Sequence, residues 1–381
     1  MKGLPWVALA LIAWLPVQVW CSNTDYALIM PKARTSLLLD IATAGDRLVE
    51  VGERGHILYS DDIGKTWVQV RVPTSVMLTR VFFVSEATGW AVGHDGNILL
   101  TDDGGETWTL QRDGVSDQVG INEERVARAR GKVSDLEKQL ATLSPESPPE
   151  GENELLESLE EARSALATAL DVMAEPVYAP PLMDIWFAND EQGWAAGAFG
   201  TLLRTSNGGR SWADSSYSLQ NSEELHLNGV AGDASGTLYL SSEWGYVFRS
   251  TSSGESWEAV ETGFEGSYFG VVVNPVSGSV FAYGLLGTIY RSTDRGQTWE
   301  QLDSKTGESL FGAASATGGA LVFVGENGAA VRTDNDGNSF SVLDPGTGHG
   351  LYGVTPLGAG RFVATGEGGS VVLPGEAETG R

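Results

Sequence analysis

The chain has 381 residues, of which 41% are hydrophobic, 49 are glycine and 12 are tryptophan, and 50 acidic against 24 basic residues give a net charge of −26. Abundant glycine with many aromatic residues is typical of an all-β fold with tight turns. The excess of negative charge argues against nucleic acid and anionic lipid as partners, because both would repel it. Cys21 is the single cysteine, so a domain that begins after it is stabilised by packing without an internal disulfide.

The first 22 residues have the pattern of a signal peptide. Lys2 precedes an apolar run from Leu4 to Trp20, which is short for a membrane-spanning helix and contains two prolines. We therefore expect residues 1–22 to direct export, and the mature protein to reside in the periplasm or cell envelope. Retention of the run as a membrane anchor and lipidation at Cys21 are the alternatives, the second disfavoured by the bulky Trp20.

A motif of eight residues, the Asp-box, recurs six times and sets the predicted architecture. It reads SDDIGKTW, TDDGGETW, TSNGGRSW, STSSGESW, STDRGQTW and TDNDGNSF, and its last residue falls at positions 67, 108, 212, 257, 299 and 340. The steps of 41 to 45 residues each match one four-stranded blade of a propeller. The step of 104 residues contains one blade and an insertion.

We expect each box to be a structural turn between the third and fourth strands of its blade. Its third residue accepts hydrogen bonds, its glycine adopts positive φ, and its closing aromatic side chain packs between blades. The structural residues predicted in this way are Asp62, Trp67, Asp103, Trp108, Asn207, Trp212, Trp257, Asp294, Trp299, Asn335 and Phe340. A calcium loop is the alternative, but each box offers only one or two carboxylates, and the fourth has Ser252 at the third position. We therefore expect neither a metal nor a cofactor.

Apolar stretches separated by glycine turns accompany every box and predict antiparallel strands. The predicted blades span residues 37–72, 78–113, 182–217, 226–261, 268–303, 309–344 and 350–373. The last unit has no box, and we expect residues 26–30 to supply its fourth strand and so close the ring. The predicted fold is an all-β, seven-bladed β-propeller formed by residues 26–113 and 182–373, with a flexible tail at 374–381; six or eight blades are the alternatives.

Residues 114–181 interrupt the repeat between blades two and three. Apolar residues at steps of three and four predict two helices of about 24 residues that form a coiled-coil hairpin, with Asn153 capping the second. The seam residues are Val126, Ala129, Val133, Leu136, Leu140 and Leu143 on the first helix, and Leu155, Leu159, Ala162, Leu166, Ala169 and Met173 on the second. We expect this hairpin to be an arm that is partly mobile or packs on a partner; a solvated insertion without a role is the alternative.

The arm and the turns between second and third strands are expected on the same face of the propeller, because both connect strand ends on that side. We call it the arm face. Its mixed acidic and apolar rim would suit a protein or peptide ligand. The predicted binding residues are Glu53, Arg54, His94, Asp95, Phe199, Glu243, Trp244, Glu326 and Glu367. Phe199 and Trp244 are the strongest candidates, since exposed aromatic side chains commonly anchor a partner.

The tandem boxes, together with the segments Gly89–Gly96 and Gly193–Gly200, resemble the photosystem II stability and assembly factor family over nearly all of residues 37–373 outside the insertion. The resemblance implies an exported, non-catalytic scaffold that holds a client, either a membrane protein or an envelope complex. The acidic composition, the insertion and the lack of an arginine cluster on the arm face depart from the photosynthetic branch. We therefore expect a monomer that binds a protein client and meets the membrane only through it.

A sialidase-like glycosidase is the alternative function, since such enzymes also carry these boxes. Their sites need an arginine cluster, a Tyr–Glu nucleophile pair and an acid. The candidate carboxylates are Glu243, Glu326 and Glu367, but no arginine-rich segment precedes the first box, and the four histidines lie in different blades. We therefore expect no catalytic residues. An accessory subunit of an envelope transporter is a third possibility, which differs from the scaffold only in its client.

Overall fold

The computed structural model describes residues 25–143 and 149–375. The predicted signal peptide lies outside the described residues, as does most of the predicted tail. The described strands form seven antiparallel sheets, six of four strands and one of three, and each sheet follows chain order. The chain is therefore a seven-bladed β-propeller, as the spacing of the boxes predicts, with a helical hairpin between blades two and three.

Blades one to three contain the first twelve strands, and each blade runs from its first strand at the channel to its fourth at the outside. They are β1 (Leu38–Ala44), β2 (Arg47–Gly52), β3 (Ile57–Ser60) and β4 (Val68–Gln69); β5 (Leu78–Phe83), β6 (Gly89–Gly93), β7 (Ile98–Thr101) and β8 (Thr109–Arg112); β9 (Leu182–Phe187), β10 (Gly193–Gly197), β11 (Leu202–Thr205) and β12 (Ala213–Asp214).

Blades four to seven contain the other fifteen strands. They are β13 (Leu227–Gly232), β14 (Leu238–Ser242), β15 (Tyr246–Ser250) and β16 (Glu258–Glu261); β17 (Tyr268–Val273), β18 (Val280–Gly284), β19 (Ile289–Ser292) and β20 (Glu300–Leu302); β21 (Leu310–Ser315), β22 (Leu321–Gly325), β23 (Ala330–Thr333) and β24 (Ser341–Val342); β25 (Leu351–Gly358), β26 (Arg361–Gly366) and β27 (Gly369–Leu373). Single 3-10 turns lie at Ala33–Thr35, Glu53–Gly55, His94–Gly96, Ser216–Ser218, Leu285–Gly287 and Glu326–Gly328.

In five of the seven blades the second strand is buried along its whole length, and in blades one and seven only its first residue is not. Every residue of β6, β10, β18 and β22 is buried. Such a strand packs against both neighbouring blades, so its sequence is a continuous apolar run rather than an alternating one. Trp90 of β6 stacks on Phe187 of the next blade with ring centroids 3.6 Å apart. Aromatic packing of this kind stabilises the interfaces between blades.

Polar side chains also join each of the first six blades to the next one, at the end where the boxes lie. In five of the six interfaces the side chain donates to a backbone carbonyl of a turn in the next blade, and in one it pairs with a glutamate. The pairs are Arg47 to Gly104 at 3.2 Å, Gln111 to Gly208 at 2.8 Å, Arg204 to Glu255, Arg249 to Arg295 at 2.6 Å, Arg291 to Asp336, and Arg332 to Gly360 at 2.5 Å. Five of these six contacts reach a box turn, so the box turns help to hold neighbouring blades together.

The ring closes by direct packing of blade seven against blade one. β25 packs on β1 as the other first strands pack on their neighbours. The backbones approach so closely that a Cβ atom on Gly353 would lie 2.6 Å from the Cα atom of Asp40. A single bridge between Leu37 and Glu367 joins the two blades at the arm face.

The prediction that residues 26–30 complete blade seven is wrong. The sheet of blade seven has three described strands, and the segment runs instead along the outer edge of blade one. There the N–H of Ala27 donates to the carbonyl of Val72 at 3.0 Å, and the N–H of Met30 donates to Gln69 at 2.7 Å. The fourth strand of blade one has only two residues, so the edge beyond it offers free backbone groups and an apolar site in which Ala27 is buried.

The insertion forms two helices, α1 (Gly114–Ala141) and α2 (Pro149–Ala174). α1 follows β8 directly, and the carboxylate of its N-cap Asp113 accepts the N–H groups of Val115 and Ser116. The expected cap of the second helix is wrong: α2 begins at Pro149, so Asn153 lies inside it. Proline suits the first position of a helix because that position has no N–H bond to lose.

The seam between the helices is buried only in part. Val126, Leu159 and Ala162 are buried, as their spacing predicts, and Ile121 packs into the core between blades two and three. Met173 is 44% exposed, so the seam is open at that end. α1 is thus attached to the propeller by its first turns, and α2 packs on α1.

Candidate functional site

The boxes use their polar groups within their own turns. The carboxylate of Asp62 accepts the N–H of Thr66 at 2.8 Å and its hydroxyl group at 2.6 Å, and these bonds lower the pKa of Asp62 to about 2. The box glycines have φ between 76° and 89°. The indole N–H groups of Trp67, Trp108 and Trp299 donate to the carbonyls of these glycines. In the described part of the chain, no cluster of three His, Cys, Asp or Glu side chains could hold a metal ion.

The predicted binding residues lie on the arm face, at the end of the blades opposite the boxes. These residues lie in the turns that join the second and third strands of a blade. The first residue of such a turn is hydrogen-bonded to the start of the first strand in its own blade, as when the N–H of Glu53 donates to the carbonyl of Leu37 at 3.0 Å. α1 starts against the turn of blade two, because a Cβ atom on Gly114 would lie 2.2 Å from the carbonyl oxygen of Asp95. The turns belong to different blades, so the structure places these residues around a ring and not in one pocket.

Few of the predicted binding residues contact one another. Glu53 pairs with Arg54 at 3.9 Å within one turn. The carboxylate of Glu367 accepts the hydroxyl group of Tyr352 at 3.2 Å. The three candidate carboxylates of a glycosidase, Glu243, Glu326 and Glu367, lie on blades four, six and seven.

Three turns carry bulky apolar residues in an unfavourable backbone conformation. The second residue of this turn has φ between 55° and 57° in each of blades one to six. Blades one, two and six place Arg54, Asp95 and Asn327 there, whereas blades three, four and five place Phe199, Trp244 and Leu286. Left-handed φ is tolerated by Asn and Asp but costs a bulky residue about 1–2 kcal/mol.

The same three residues are also exposed to solvent, by 51% for Phe199, 70% for Trp244 and 73% for Leu286. We call them the apolar arc. Phe199 contacts the rings of Tyr178 and His226, with centroids 6.3 Å and 5.0 Å away. The fold would be served better by Asn or Gly at all three positions, so strain and exposure together point to a binding role.

A second aromatic group, which was not predicted from the sequence, lies at the arm-face end of the central channel. Phe269, Phe311 and Tyr352 are the second residues of β17, β21 and β25. Their rings pack in a row, with centroids 5.5 Å and 5.2 Å apart, and each is half-buried. We call this group the aromatic mouth. Alignment of the seven first strands by their buried first residue would have found it.

Charged side chains span the channel below the mouth. Arg80 of blade two lies 3.5 Å from Asp40 of blade one and 2.8 Å from Asp184 of blade three. Burial raises the pKa of Asp40 to about 6, although Arg80 opposes the shift. Tyr283 of blade five reaches towards Arg80 through the space that Gly270 leaves. A ligand of the arm face would therefore lie across the face and not pass through the ring.

A cleft of about 970 Å³ separates the arm from blade three, and Phe199 forms part of its wall. Asp214 of blade three pairs with Arg125 at 3.1 Å and with Arg128 at 3.6 Å. Burial of Asp214 favours a raised pKa, but the hydrogen bonds and charge of Arg125 outweigh it and hold the pKa below its usual value. Arg128 also lies 4.0 Å from the ring centroid of Tyr217. These contacts anchor the arm beside the apolar arc.

The family model of the photosynthesis system II assembly factor YCF48 matches residues 60–127 and 164–350, more than half of the chain. The unmatched stretch between these ranges belongs to the arm. A comparison with curated proteins gives no match. No helix in the described ranges is long and apolar enough to cross a bilayer.

Several solved structures have a similar fold. YCF48 bound to D1 peptide is 16% identical, with a TM-score of 0.59 over 93% of this chain and 97% of that chain. YCF48 from Cyanidioschyzon merolae is 15% identical, with a TM-score of 0.57 over 92% and 97%. The β-propeller domain of Cps50 (Swd1) from Myceliophteria thermophila is 11% identical, with a TM-score of 0.58 over 90% and 98%. At these identities the structures demonstrate the shared fold alone.

Proposed function

Because the chain belongs to the family of photosynthesis system II assembly factor YCF48, we propose that it is a non-catalytic scaffold that holds a segment of a client protein on its arm face. One structure of the same fold is YCF48 bound to D1 peptide, which supports a peptide segment as the ligand. The apolar arc carries the proposal for this chain: three exposed apolar side chains are kept on strained backbone where Asn or Gly would fold better.

We also propose that the client is a membrane protein or an envelope complex, and that this protein acts as a monomer in the periplasm or cell envelope. The apolar run from Leu4 to Trp20 behind Lys2 supports export. The charge of −26 argues against direct adsorption to an anionic membrane, so the client would provide the contact with the bilayer. An accessory role on an envelope transporter is the same function with another client.

Site-specific photo-crosslinking in whole cells tests this proposal. A photoreactive amino acid replaces Trp244 in the full chain, and Ile63 serves as the matched control. Ile63 also has left-handed φ, at 62°, and is 44% exposed, but it lies in the first box at the other end of the propeller. We expect position 244 to form an adduct with one defined envelope or membrane protein, and position 63 to form none.

Two results would contradict the proposal. Adducts of equal yield and identity at both positions would show that the arm face has no special role. Turnover of a sialoside or a glucan by the purified protein would show that it is an enzyme and not a scaffold. The identity of the crosslinked protein distinguishes an assembly client from a transporter.

A further inference from the structure

The two ends of the propeller differ in how their acidic side chains are paired. At the box end, arginines on the third strands of blades three to six each pair with a carboxylate. The pairs are Arg204 with Glu255, Arg249 with Glu258 at 3.2 Å, Arg291 with Glu300 at 2.6 Å, and Arg332 with Asp334 at 2.6 Å. Four of the acidic side chains at that end are therefore paired with arginine within the molecule.

On the arm face of the same blades, six acidic side chains take part in none of the ion pairs found among the described residues. They are Glu223, Glu224, Glu243, Glu265, Glu308 and Glu326, and we call them the acidic sector. Lys305, the only lysine or arginine in the loops that connect blades three to six, is itself paired with Asp303. Arg125, Arg128 and Lys132 of the arm line the same cleft as Glu223 and Glu224, so the carboxylates farthest from any cation are those of blades four to six.

The neutral contacts of the acidic sector leave its charge in place. Glu243 accepts the backbone N–H of His226 at 2.9 Å, and Glu308 accepts the side-chain amide of Asn327 at 3.1 Å. Glu223, Glu224, Glu265 and Glu326 are exposed. Carboxylates grouped on one face attract cations and repel anions over about 10 Å at moderate salt.

The acidic sector and the apolar arc are interleaved along the chain. Glu243 directly precedes Trp244, and the loops that bear Glu265 and Glu308 flank the turn of Leu286. The aromatic mouth adds Phe311 between them and the channel. A ligand that covers the arc must therefore place its own side chains within reach of several uncompensated carboxylates.

We propose that the client segment bound by the arm face is cationic and apolar, with Lys or Arg flanking aromatic or aliphatic side chains. The inference rests on the proposed scaffold function and specifies the chemistry of its partner. Apolar side chains of the segment cover the arc, where release of water stabilises the complex. Its cations lie against the acidic sector and fix orientation and speed of association. An anionic segment would be repelled, and an uncharged one would leave the carboxylates facing an apolar surface.

Selection of peptides from a random library tests the inference on the mature full-length protein. We expect the selected pool to be enriched in Lys or Arg together with Trp, Phe or Leu. Synthetic copies of the best peptides should bind at least about tenfold more weakly when NaCl rises from about 0.05 M to about 0.5 M. A pool without such enrichment, or one enriched in Asp and Glu, would overturn the inference.

Matched charge variants show which end of the propeller contributes the charge that attracts the peptide. The double variant Glu243→Gln with Glu326→Gln removes two unpaired charges from the arm face, and Glu258→Gln with Glu300→Gln removes two paired charges from the box end. We expect the first to weaken binding about tenfold and the second to leave it unchanged, although both change the net charge equally. Equal weakening by both would attribute binding to overall charge and overturn the inference.

A failure of the scaffold proposal can be distinguished from a failure of the charge inference alone. If Phe199→Asn and Trp244→Asn abolish binding while the arm-face charge variant does not, the arm face binds peptides and only the charge inference fails. If the two aromatic variants leave binding unchanged, the arm face is not the binding surface and both proposals fail. Unfolding midpoints of all variants confirm that each is folded.

Discussion

The side chain of Trp244 contributes little to the stability of the fold. Its φ is 57° and its side chain is 70% exposed, so the residue combines backbone strain with little buried area. Asn relieves the strain because its short polar side chain tolerates left-handed φ. We expect Trp244→Asn to raise the free energy of unfolding by about 0.5–1.5 kcal/mol while client binding is lost. Urea unfolding and the crosslinking yield at a neighbouring position measure the two effects.

Phe199→Asn is the internal comparison for this prediction. Phe199 has the same φ but packs on Tyr178 and His226, so the relief of strain is offset by lost contacts and the stability gain should be smaller. A clear loss of stability in Trp244→Asn would mean that the tryptophan supports the fold, and the strain argument would then fail.

Glu50 is a buried carboxyl at the seam between blade one and blade seven. Its side chain is fully buried and makes no hydrogen bond of ordinary geometry with the described residues, although Thr365 and Ser370 face it. Burial raises the pKa of Glu50 to about 8, and Arg34 and the two hydroxyl groups oppose the shift only in part. The folded protein therefore holds Glu50 in its neutral, protonated form at neutral pH.

This pKa predicts that stability falls as pH rises. Below the pKa of about 4.5 of the unfolded chain, both states bind the proton and stability is at its full value. Between that pH and about 8 the folded state alone retains the proton, so the free energy of unfolding falls by about 1.4 kcal/mol per pH unit from this group. Glu50→Gln keeps the neutral shape and should be more stable than the wild type at pH 8, by roughly 2 kcal/mol or more.

Urea midpoints of the wild type and of Glu50→Gln between pH 5 and pH 9 test the prediction, with roughly equal steps of one pH unit. The two curves should approach each other at low pH and separate as pH rises. Parallel curves would show that Glu50 is ionised in the folded protein or that the seam admits water. Glu261, an exposed glutamate on β16, gives a control substitution to Gln that should not alter the pH dependence.

At the scale of single elements, the boxes were predictable because every group that defines them is local. Asp62 bonds to Thr66 four residues later, and the glycine between them needs positive φ. The arginines that join a blade to the box of the next blade could not be predicted in the same way. Arg249 reaches the carbonyl of Arg295, which is 46 residues away, and only the packed ring brings such groups together.

In the arm too, local features could be predicted from the sequence and long-range contacts could not. The 3.6-residue period correctly placed two helices and the buried contacts of Val126, Leu159 and Ala162. The start of α2 at Pro149 was missed, because Asn153 is a favourable cap by type and the choice between them depends on the geometry of the preceding loop. The anchoring of α1 by Asp214, 89 residues from Arg125, has no sequence signal of its own.

The candidate site was predicted in part. Phe199 and Trp244 could be singled out because glycine-flanked turns leave their side chains free. Leu286 completes the arc, and its significance depends on the φ of 56° that the structure gives. The aromatic mouth escaped because Phe269, Phe311 and Tyr352 look like ordinary strand residues until adjacent blades are seen to align them.

At the scale of the whole molecule, each end of the ring has one task. The box end carries hydrogen bonds between blades and pairs several of its carboxylates with arginine. The arm face carries the strained apolar arc, the unpaired carboxylates and the arm. Arg80 and its partners span the channel, so a segment bound at the arm face does not reach the box end through the ring. A client that covers the arm face leaves the contacts between blades at the box end undisturbed.

The position of residues 26–30 on blade one predicts how the ring responds to their deletion. If the segment at 26–30 completed blade seven, its deletion would open the ring. In the structure it lies on blade one, where Leu28 and Ile29 are 74% and 60% exposed and only Ala27 is buried. We expect deletion of residues 25–30 to leave a monomeric propeller with one cooperative unfolding transition, destabilised by about 1–3 kcal/mol.

Gly353→Val should have the opposite outcome, because the seam between blades seven and one has no room for a side chain. The Cβ atom would lie 2.6 Å from the Cα atom of Asp40 and 2.9 Å from the N atom of Ile41, and backbone cannot move aside as a flexible side chain would. The first strands of the two blades must then separate, which exposes apolar edges that associate. Size-exclusion chromatography with light scattering should give monomer for the deletion and oligomer or aggregate for Gly353→Val. The reverse pattern would mean that the N-terminal segment, and not the direct packing of β25 on β1, closes the ring.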